Sequence, residues 1–257
     1  MKFSLVNGLR QEAQPKLRGI CPACGTFMTA RCGRVRVHHW AHKNQGRCDP
    51  WWETESEWHR SWKNQFPAEW QEFIQRGDTG EKHIADVKTK DGWVIEFQHS
   101  VIDFNERLSR EKFYQKLIWI VDGTKRKSDI EPFKKGFIYG QSPDPLSPNK
   151  YRTFFPKGNL LRNWSESSGH VFFDFGEEHP LWWIYPGSNE TYAYIQSITR
   201  DQLIHSLQEQ SIGSQNGFDS LIRNFAILVL FLVCQDPTQP DHTSMLRGHC
   251  ESRCMIG

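Results

Sequence analysis

The chain has 257 residues, a formal net charge of +2, 37% hydrophobic content and 7 cysteines. That length suits one catalytic core with small additions, and the near-neutral balance by itself selects no partner. The odd cysteine count argues against a disulfide framework, and residues Met1 to Gln14 lack an apolar signal core, so a soluble cytoplasmic enzyme without a membrane segment is expected.

The first chemistry in chain order is Cys21-Pro22-Ala23-Cys24-Gly25, then Cys32-Gly33, His38-His39-Trp40-Ala41-His42 and Cys48. A C-x-x-C knuckle followed by H-x-x-H has the donors of a tetrahedral structural Zn²⁺ site. The preferred ligands are Cys21, Cys24, His39 and His42, with Cys32, His38 and Cys48 as substitutes because candidates outnumber positions. No βαβ pattern surrounds the dithiol, which disfavours a redox role. Residues 1–50 therefore read as a zinc-ribbon-like module. Between Ala13 and Cys48 there is no acid, whereas Lys16, Arg18, Arg31, Arg34, Arg36, Lys43 and Arg47 are basic. A small module with that bias suits phosphate contact, and Arg31, Arg34, Arg36 and Lys43 are its expected nucleic-acid contacts. Trp40 and Trp52 could stack on bases, but tryptophans so dense are more often packing residues.

A helix is expected from the Thr54/Glu57 capping box to Phe66-Pro67, where proline stops it. At helical spacing Glu55, His59 and Lys63 form a polar stripe beside an apolar stripe of Trp58, Trp62 and Phe66. Taken alone, the polar stripe is equally consistent with a solvated helix face. A strand then precedes Glu81, and His83 to Ser100 reads as a hairpin closed by Lys90-Asp91-Gly92 with glycine in the left-handed position. Its alternation places Ile84, Asp86 and Lys88 on one face and Ala85 and Val87 on the other, with Val94, Glu96, Gln98 and Ser100 in step. That register sets Asp86 opposite Glu96, with Cβ atoms roughly 5 Å apart. Carboxylates so close on otherwise apolar strands need a cation between them, the layout of a metal-dependent nuclease site.

Asp103 with Glu106 caps a helix over 104–115, and Leu117 to Val121 is a short apolar run of the kind found in a central buried strand. Ser142 to Pro148 is a proline-rich boundary closing a core of residues 51–141. Beyond it an accessory aromatic β/α region over 149–234 is expected, with strands at Tyr151–Phe155, Val171–Phe175, Leu181–Tyr185 and Tyr192–Ile198 and a capped helix at Thr199–Gln208. Phe225 to Cys234 is a run of ten apolar residues, too short to span a bilayer. Residues 235–257 lack periodicity and read as a disordered tail.

Taken together, H-H-W-A-H, E-S-E-W-H-R-S-W-K, A-D-V, I-E-F-Q-H-S, E-R followed by Y, and I-W-I-V-D-G resemble the competence-protein CoiA-like nucleases of the PD-(D/E)XK restriction-endonuclease-like superfamily. The resemblance covers about residues 18–123. It implies an α/β (α+β) restriction-endonuclease-like core, a mixed sheet flanked by helices, acting on DNA. It also implies that Asp86 and Glu96 bind Mg²⁺ or Mn²⁺, with Glu55 of the first helix as a further ligand of that ion and His59 supplied by the same helix. Gln98 takes the place of the superfamily's lysine, a departure that leaves Lys63 or Lys88 to play the lysine's part. Gln98 then orients water, since an amide is a poor base, and His59 orients a ligand. The expected function is phosphodiester hydrolysis in DNA processing or defence against foreign DNA. Two alternatives remain: a non-catalytic nucleic-acid-binding module on a nuclease fold, and an interaction subunit that docks a protein partner through its aromatic second half.

Overall fold

The computed structural model describes residues 1–42, 48–51, 55–125, 127–138, 150–154, 159–186, 188, 192–209 and 217–234. The expected contact Lys43, the cap Thr54, the 142–148 boundary and the 235–257 tail lie outside the described residues.

Alternation in the N-terminal segment builds a five-stranded antiparallel sheet from β1 (Phe3–Val6), β2 (Leu9–Glu12), β3 (Arg18–Ile20), β4 (Phe27–Arg31) and β5 (His39–His42), in the order β2-β1-β3-β4-β5. The β1–β2 connection is Asn7-Gly8, both residues at positive φ (51° and 80°), as a tight two-residue hairpin requires. One face of the sheet buries Met28 and Trp40 with Cys21 and Ala23.

The rest of the chain folds around one mixed sheet. Its elements are α1 (Glu57–Lys63), β6 (Gln71–Arg76), β7 (Lys82–Lys88), β8 (Val94–Gln98), α2 (Phe104–Phe113), β9 (Leu117–Asp122), α3 (Lys127–Ile138), β10 (Lys150–Phe154), α4 (Asn159–Trp164), β11 (His170–Asp174), β12 (Leu181–Ile184), β13 (Tyr192–Ile198), α5 (Arg200–Gln208) and α6 (Phe218–Cys234). The strand order is β10-β13-β12-β11-β9-β8-β7-β6, with β8, β9 and β11 mutually parallel and the other pairs antiparallel. β9 is buried throughout, as its unbroken apolar run demands. Its Ile118 and Ile120 face the core shared with Trp62, Leu203 and Phe225, while Leu117, Trp119 and Val121 face the core shared with Tyr114, Phe133 and Trp164. Helices thus cover both faces.

Several expectations change here. The aromatic strands after residue 149 are not a separate accessory sheet, because β11 pairs in parallel with β9 and extends the same sheet. Phe172, Phe173 and Trp183 are consequently core rather than a docking face. α1 begins at Glu57, capped by Ser56, whose hydroxyl accepts the His59 N–H at 3.2 Å. The apolar run at 225–234 is the second half of α6, and among the described residues no helix is long and apolar enough to cross a membrane.

The strand irregularity that matters is at Asp86. β7 and β8 pair as Val87 with Ile95 and Lys88 with Val94, which carries Asp86 toward Glu96 as the hairpin register implies. There the ladder is interrupted, and the Asp86 side chain accepts the Phe97 N–H at 3.0 Å. On the other side, β6 pairs Gln71 with Val87 and Phe73 with Ala85, skipping Glu72, which sits at a φ of 48°. Ala85 packs with the α2-side core and Val87 with the α1-side core, although strand residues two apart ordinarily share a face. Burial nevertheless alternates evenly along the strand, with Ala85 and Val87 buried and Ile84, Asp86 and Lys88 half-buried as expected, while the pairing with β8 stops beyond Val87.

Candidate active site and metal centre

Between β3 and β4 the Cys21–Thr26 turn is held by the Cys21 N–H on the Thr26 carbonyl at 2.9 Å and the Gly25 N–H on the Cys21 carbonyl at 2.9 Å, with Gly25 at a φ of 72°. This knuckle brings Cys21 and Cys24 together with His42 of β5 and Cys48, all donor atoms lying within 4.8 Å of one another. Cys21 Sγ is 3.6 Å from Cys48 Sγ, and Cys24 Sγ is 3.4 Å from His42 Nε2. The Cys48 sulfur chiefly draws the Cys21 thiol down to about 4, and Cys21 in turn pushes the Cys48 thiol up. Three cysteines and a histidine at this separation can hold a metal ion.

Cys48 replaces His39 in the expected ligand set. On β5, residues 39 and 42 are three apart and point to opposite faces, because strand side chains alternate. His39 instead places Nδ1 2.9 Å from the Val37 carbonyl and lines an open groove of about 890 Å³ with Arg31, Arg34 and Arg36. All three arginines are exposed.

The second constellation surrounds a cavity of about 60 Å³ where β7 and β8 part, lined by Glu55, His59, Lys63, Asp86 and Glu96, with Asp49, Glu72 and Arg110. α1 supplies Lys63, whose Nζ lies 3.1 Å from Glu72, 3.3 Å from Asp86 and 3.4 Å from Glu55. His59 Nε2 is 2.9 Å from Asp86 Oδ1, in ion-pair range but without hydrogen-bond alignment. Glu55 is also clasped by Arg60, through Nε at 3.0 Å and Nη2 at 2.8 Å. Across the cavity, Arg110 of α2 donates to Glu96 Oε2 at 2.8 Å, while the buried Glu96 Oε1 has no hydrogen-bond partner among the described residues.

The electrostatics divide the acids. Burial opposes ionisation of Asp86, yet His59 and Lys63 outweigh it and hold this carboxyl well below its usual range. Glu55 is likewise lowered, to about 2, with burial overcome by Lys63, then the N-terminal ammonium and then Arg60. Burial would lower Lys63, but Glu72, Glu55 and Asp86 raise it, so it stays a cation and cannot act as a base. Glu96 goes the other way: burial, then Asp86, push it up to about 8 against Arg110, whose guanidinium is shared with Glu106. An acid kept ionised beside one that resists ionisation is a common arrangement at reactive sites, though structural ion-pair networks also produce it.

Asp86, Glu96, Glu55, His59 and Lys63 are thus brought together. Gln98 is not: its amide donates to the Ser100 carbonyl at 3.0 Å, and it lines a neighbouring cavity of about 320 Å³ at the ends of β8 and β9. That cavity holds His99, whose Nδ1 is 2.6 Å from the buried Asp122. Lys88 is turned away onto Gln75 at 2.9 Å, leaving Lys63 as the lysine at the acids. Asp49, Glu72 and Arg110 carry no sequence signal of a site. Asp49 accepts from His83 at 3.0 Å and the Ile84 N–H at 2.7 Å, and Glu72 accepts the Phe3 N–H at 3.0 Å. Only the Glu106/Arg110 spacing on one helix hinted at an anchored arginine.

As a donor for a hard divalent cation only the unpartnered oxygen of Glu96 is unoccupied among these acids, because Arg60 and Lys63 meet Glu55 and His59, Lys63 and the Phe97 N–H meet Asp86, so a cation there would have to displace such contacts. Among the described residues the cysteine–histidine cluster is the one group of three or more such side chains with mutually close donor atoms. Compared with protein-family models, with curated proteins and with solved structures, the chain finds no match.

Proposed function

We propose that the chain is a Mg²⁺- or Mn²⁺-dependent nuclease hydrolysing DNA phosphodiester bonds at Asp86 and Glu96. The observation that carries this reading is the buried oxygen without a partner on Glu96, which lines a cavity that an ionised Asp86 also lines, where two strands diverge. When bound there, such an ion supplies Lewis-acid activation of water and neutralises charge at the phosphorus. The chain's own groups prepare the place. Lys63 and His59 keep Asp86 ionised, and Arg110 holds one oxygen of Glu96, which lines the cavity, and leaves the other without a partner among the described residues. Lys63 is committed to Glu55, Glu72 and Asp86, so its charge acts by holding Asp86 ionised rather than by meeting a phosphate. Gln98 has no part in this step as placed.

Incubating linear and circular DNA, single- and double-stranded, with Mg²⁺, Mn²⁺ or EDTA tests the reading. Cleavage that requires the ion and is lost in Asp86→Asn is the expected result. The internal pairing of Glu55, Asp86 and Glu96 by Lys63, His59, Arg60 or Arg110 favours the alternative of a binding module on a nuclease scaffold. Salt-sensitive DNA binding without cleavage in any metal would select that alternative.

We further infer that the cysteine–histidine cluster holds a structural Zn²⁺, since sulfur-rich four-donor sets with no open position are typical of such sites. The purified chain should carry one zinc per molecule. Cys48→Ser should release it and loosen the N-terminal sheet, whereas His39→Ala should retain it. Elemental analysis with limited proteolysis checks both, and zinc retained by Cys48→Ser would discard this ligand set.

A further inference from the structure

The outer face of the N-terminal sheet combines exposed apolar side chains with cations. On β4, Phe27, Thr29 and Arg31 point outward while Met28 is buried, and the exposed residues Arg18 and Ile20 of β3 sit directly across from Thr29 and Phe27. Phe27 is 78% exposed, Ile20 43%, and Val35 in the following loop 92%. Large apolar side chains are seldom left in water in a contiguous patch without a partner.

Charge says what the partner is. Residues 13–42 contain no carboxylate, and apart from histidines and cysteines their ionisable side chains, Lys16, Arg18, Arg31, Arg34 and Arg36, are basic. The nearest preceding acid, Glu12, lies on the far edge strand β2 and is paired with Lys2 at 3.5 Å and Arg60 at 3.6 Å. Arg31 continues from the sheet face into the groove it shares with Arg34, Arg36 and His39. Phe27 and Arg31 are separated by four strand steps, about 13 Å. An exposed ring on a flat sheet with cations along one direction offers a base-stacking platform and a phosphate track together. The described part of this module contains no helix to enter a duplex major groove, and a ring lying on a sheet stacks only on a base freed from pairing.

We propose that this face binds single-stranded nucleic acid, with Phe27 stacking on an unpaired base and Arg18, Arg31, Arg34 and Arg36 contacting phosphates. The inference deepens the nuclease reading by assigning its substrate as a single strand, and it rests on that reading for biological purpose alone. Binding is measured by fluorescence anisotropy on the full-length chain, with a labelled single-stranded oligodeoxythymidine and a duplex of equal length, with no divalent ion added.

The single strand should bind more tightly than the duplex. Phe27→Ala should weaken single-strand binding about fivefold to a hundredfold, Phe27→Trp should restore it, and Phe27→Leu should not. Arg31→Ala should weaken all sequences alike and lower the salt dependence by about one counterion. These positions are exposed, so loss of binding with unchanged circular dichroism is not a folding effect. Duplex bound as tightly as single strand, or Phe27→Ala binding like the parent, overturns the proposal. Because no ion is present, that failure is independent of cleavage: binding without cleavage removes the nuclease reading and leaves the platform, and cleavage with parental binding by Phe27→Ala does the reverse.

Discussion

Replacing Glu96 with glutamine should lower metal-dependent cleavage by more than about a hundredfold, beyond the usual effect of disturbing residues that merely support a metal ligand. Glutamine has nearly the same shape and keeps an acceptor for Arg110, but it removes the anion that a hard cation requires. Initial rates on linear DNA, compared at equal amounts of folded protein, check this. Parental rates in the variant would take Glu96 out of the site. The same substitution carries a pH signature. The folded Glu96 carboxyl is raised from 4.5 to about 8 by burial and by Asp86, so between those values the folded state holds a proton that the unfolded chain releases. Its contribution to stability is therefore fully present below about pH 4.5 and is lost as pH rises through about 8. Glutamine cannot titrate. Urea midpoints at about pH 5 and about pH 8 should show the variant gaining on the parent as pH rises, by a few kcal/mol at most. The opposite trend would mean that Arg110 governs this carboxyl rather than burial. By the same proton balance, Mn²⁺ binding to the parent should strengthen as pH rises toward 8, because the cation displaces the Glu96 proton.

What could be read in the sequence is local, and what could not depends on distant partners. The β7–β8 hairpin was legible because Gly92, at a φ of 84°, meets the turn's left-handed requirement and fixes the register. The break in the β7–β8 ladder at Asp86 was not, since it goes with the Phe97 N–H on the Asp86 carboxylate and with Glu72, a β6 residue with no motif of its own. Asp103 and Thr199 announce their helices by capping; Thr199 closes its box with Gln202, whereas Asp103 caps without the expected return from Glu106, whose carboxylate meets Arg110. The partner of β11 has no local signature, because a parallel neighbour is chosen by tertiary packing. The zinc-type cluster sits between these cases. The knuckle is local, but choosing between His39 and Cys48 depends on reading residues 39–42 as a strand, where alternation separates His39 from His42. Arg110 reaches Glu96 only because the chain crosses over the sheet between parallel β8 and β9.

Lys63→Met should be the most destabilising single change at the site, costing about 3–5 kcal/mol near neutral pH. Methionine fills much of the volume of the lysine stem, so the loss falls on charge rather than packing. Glu72 would keep the Phe3 N–H, and Glu55 would keep Arg60. Asp86 would retain His59 and the Phe97 N–H, and three carboxylates would share a buried space without their common cation. Arginine should not restore stability, since a planar guanidinium does not fit a point enclosed by three carboxylates beside a cavity of about 60 Å³. In the parent, Glu55 and Asp86 have lowered folded values, so their contribution is present above the unfolded values of 4.5 and 3.8 and is lost as pH falls through the folded ones. Without Lys63 that lowering shrinks, and protonation relieves the repulsion. The penalty should therefore narrow as pH falls below about 4.5. Glu72→Gln in the Lys63→Met background should recover part of the loss, a coupling that a double-mutant cycle reads directly. Denaturant midpoints at neutral and acid pH decide the matter. An equal penalty at both would mean that Lys63 acts through its hydrocarbon stem, and the site would then need another source of the charge that holds Asp86 ionised.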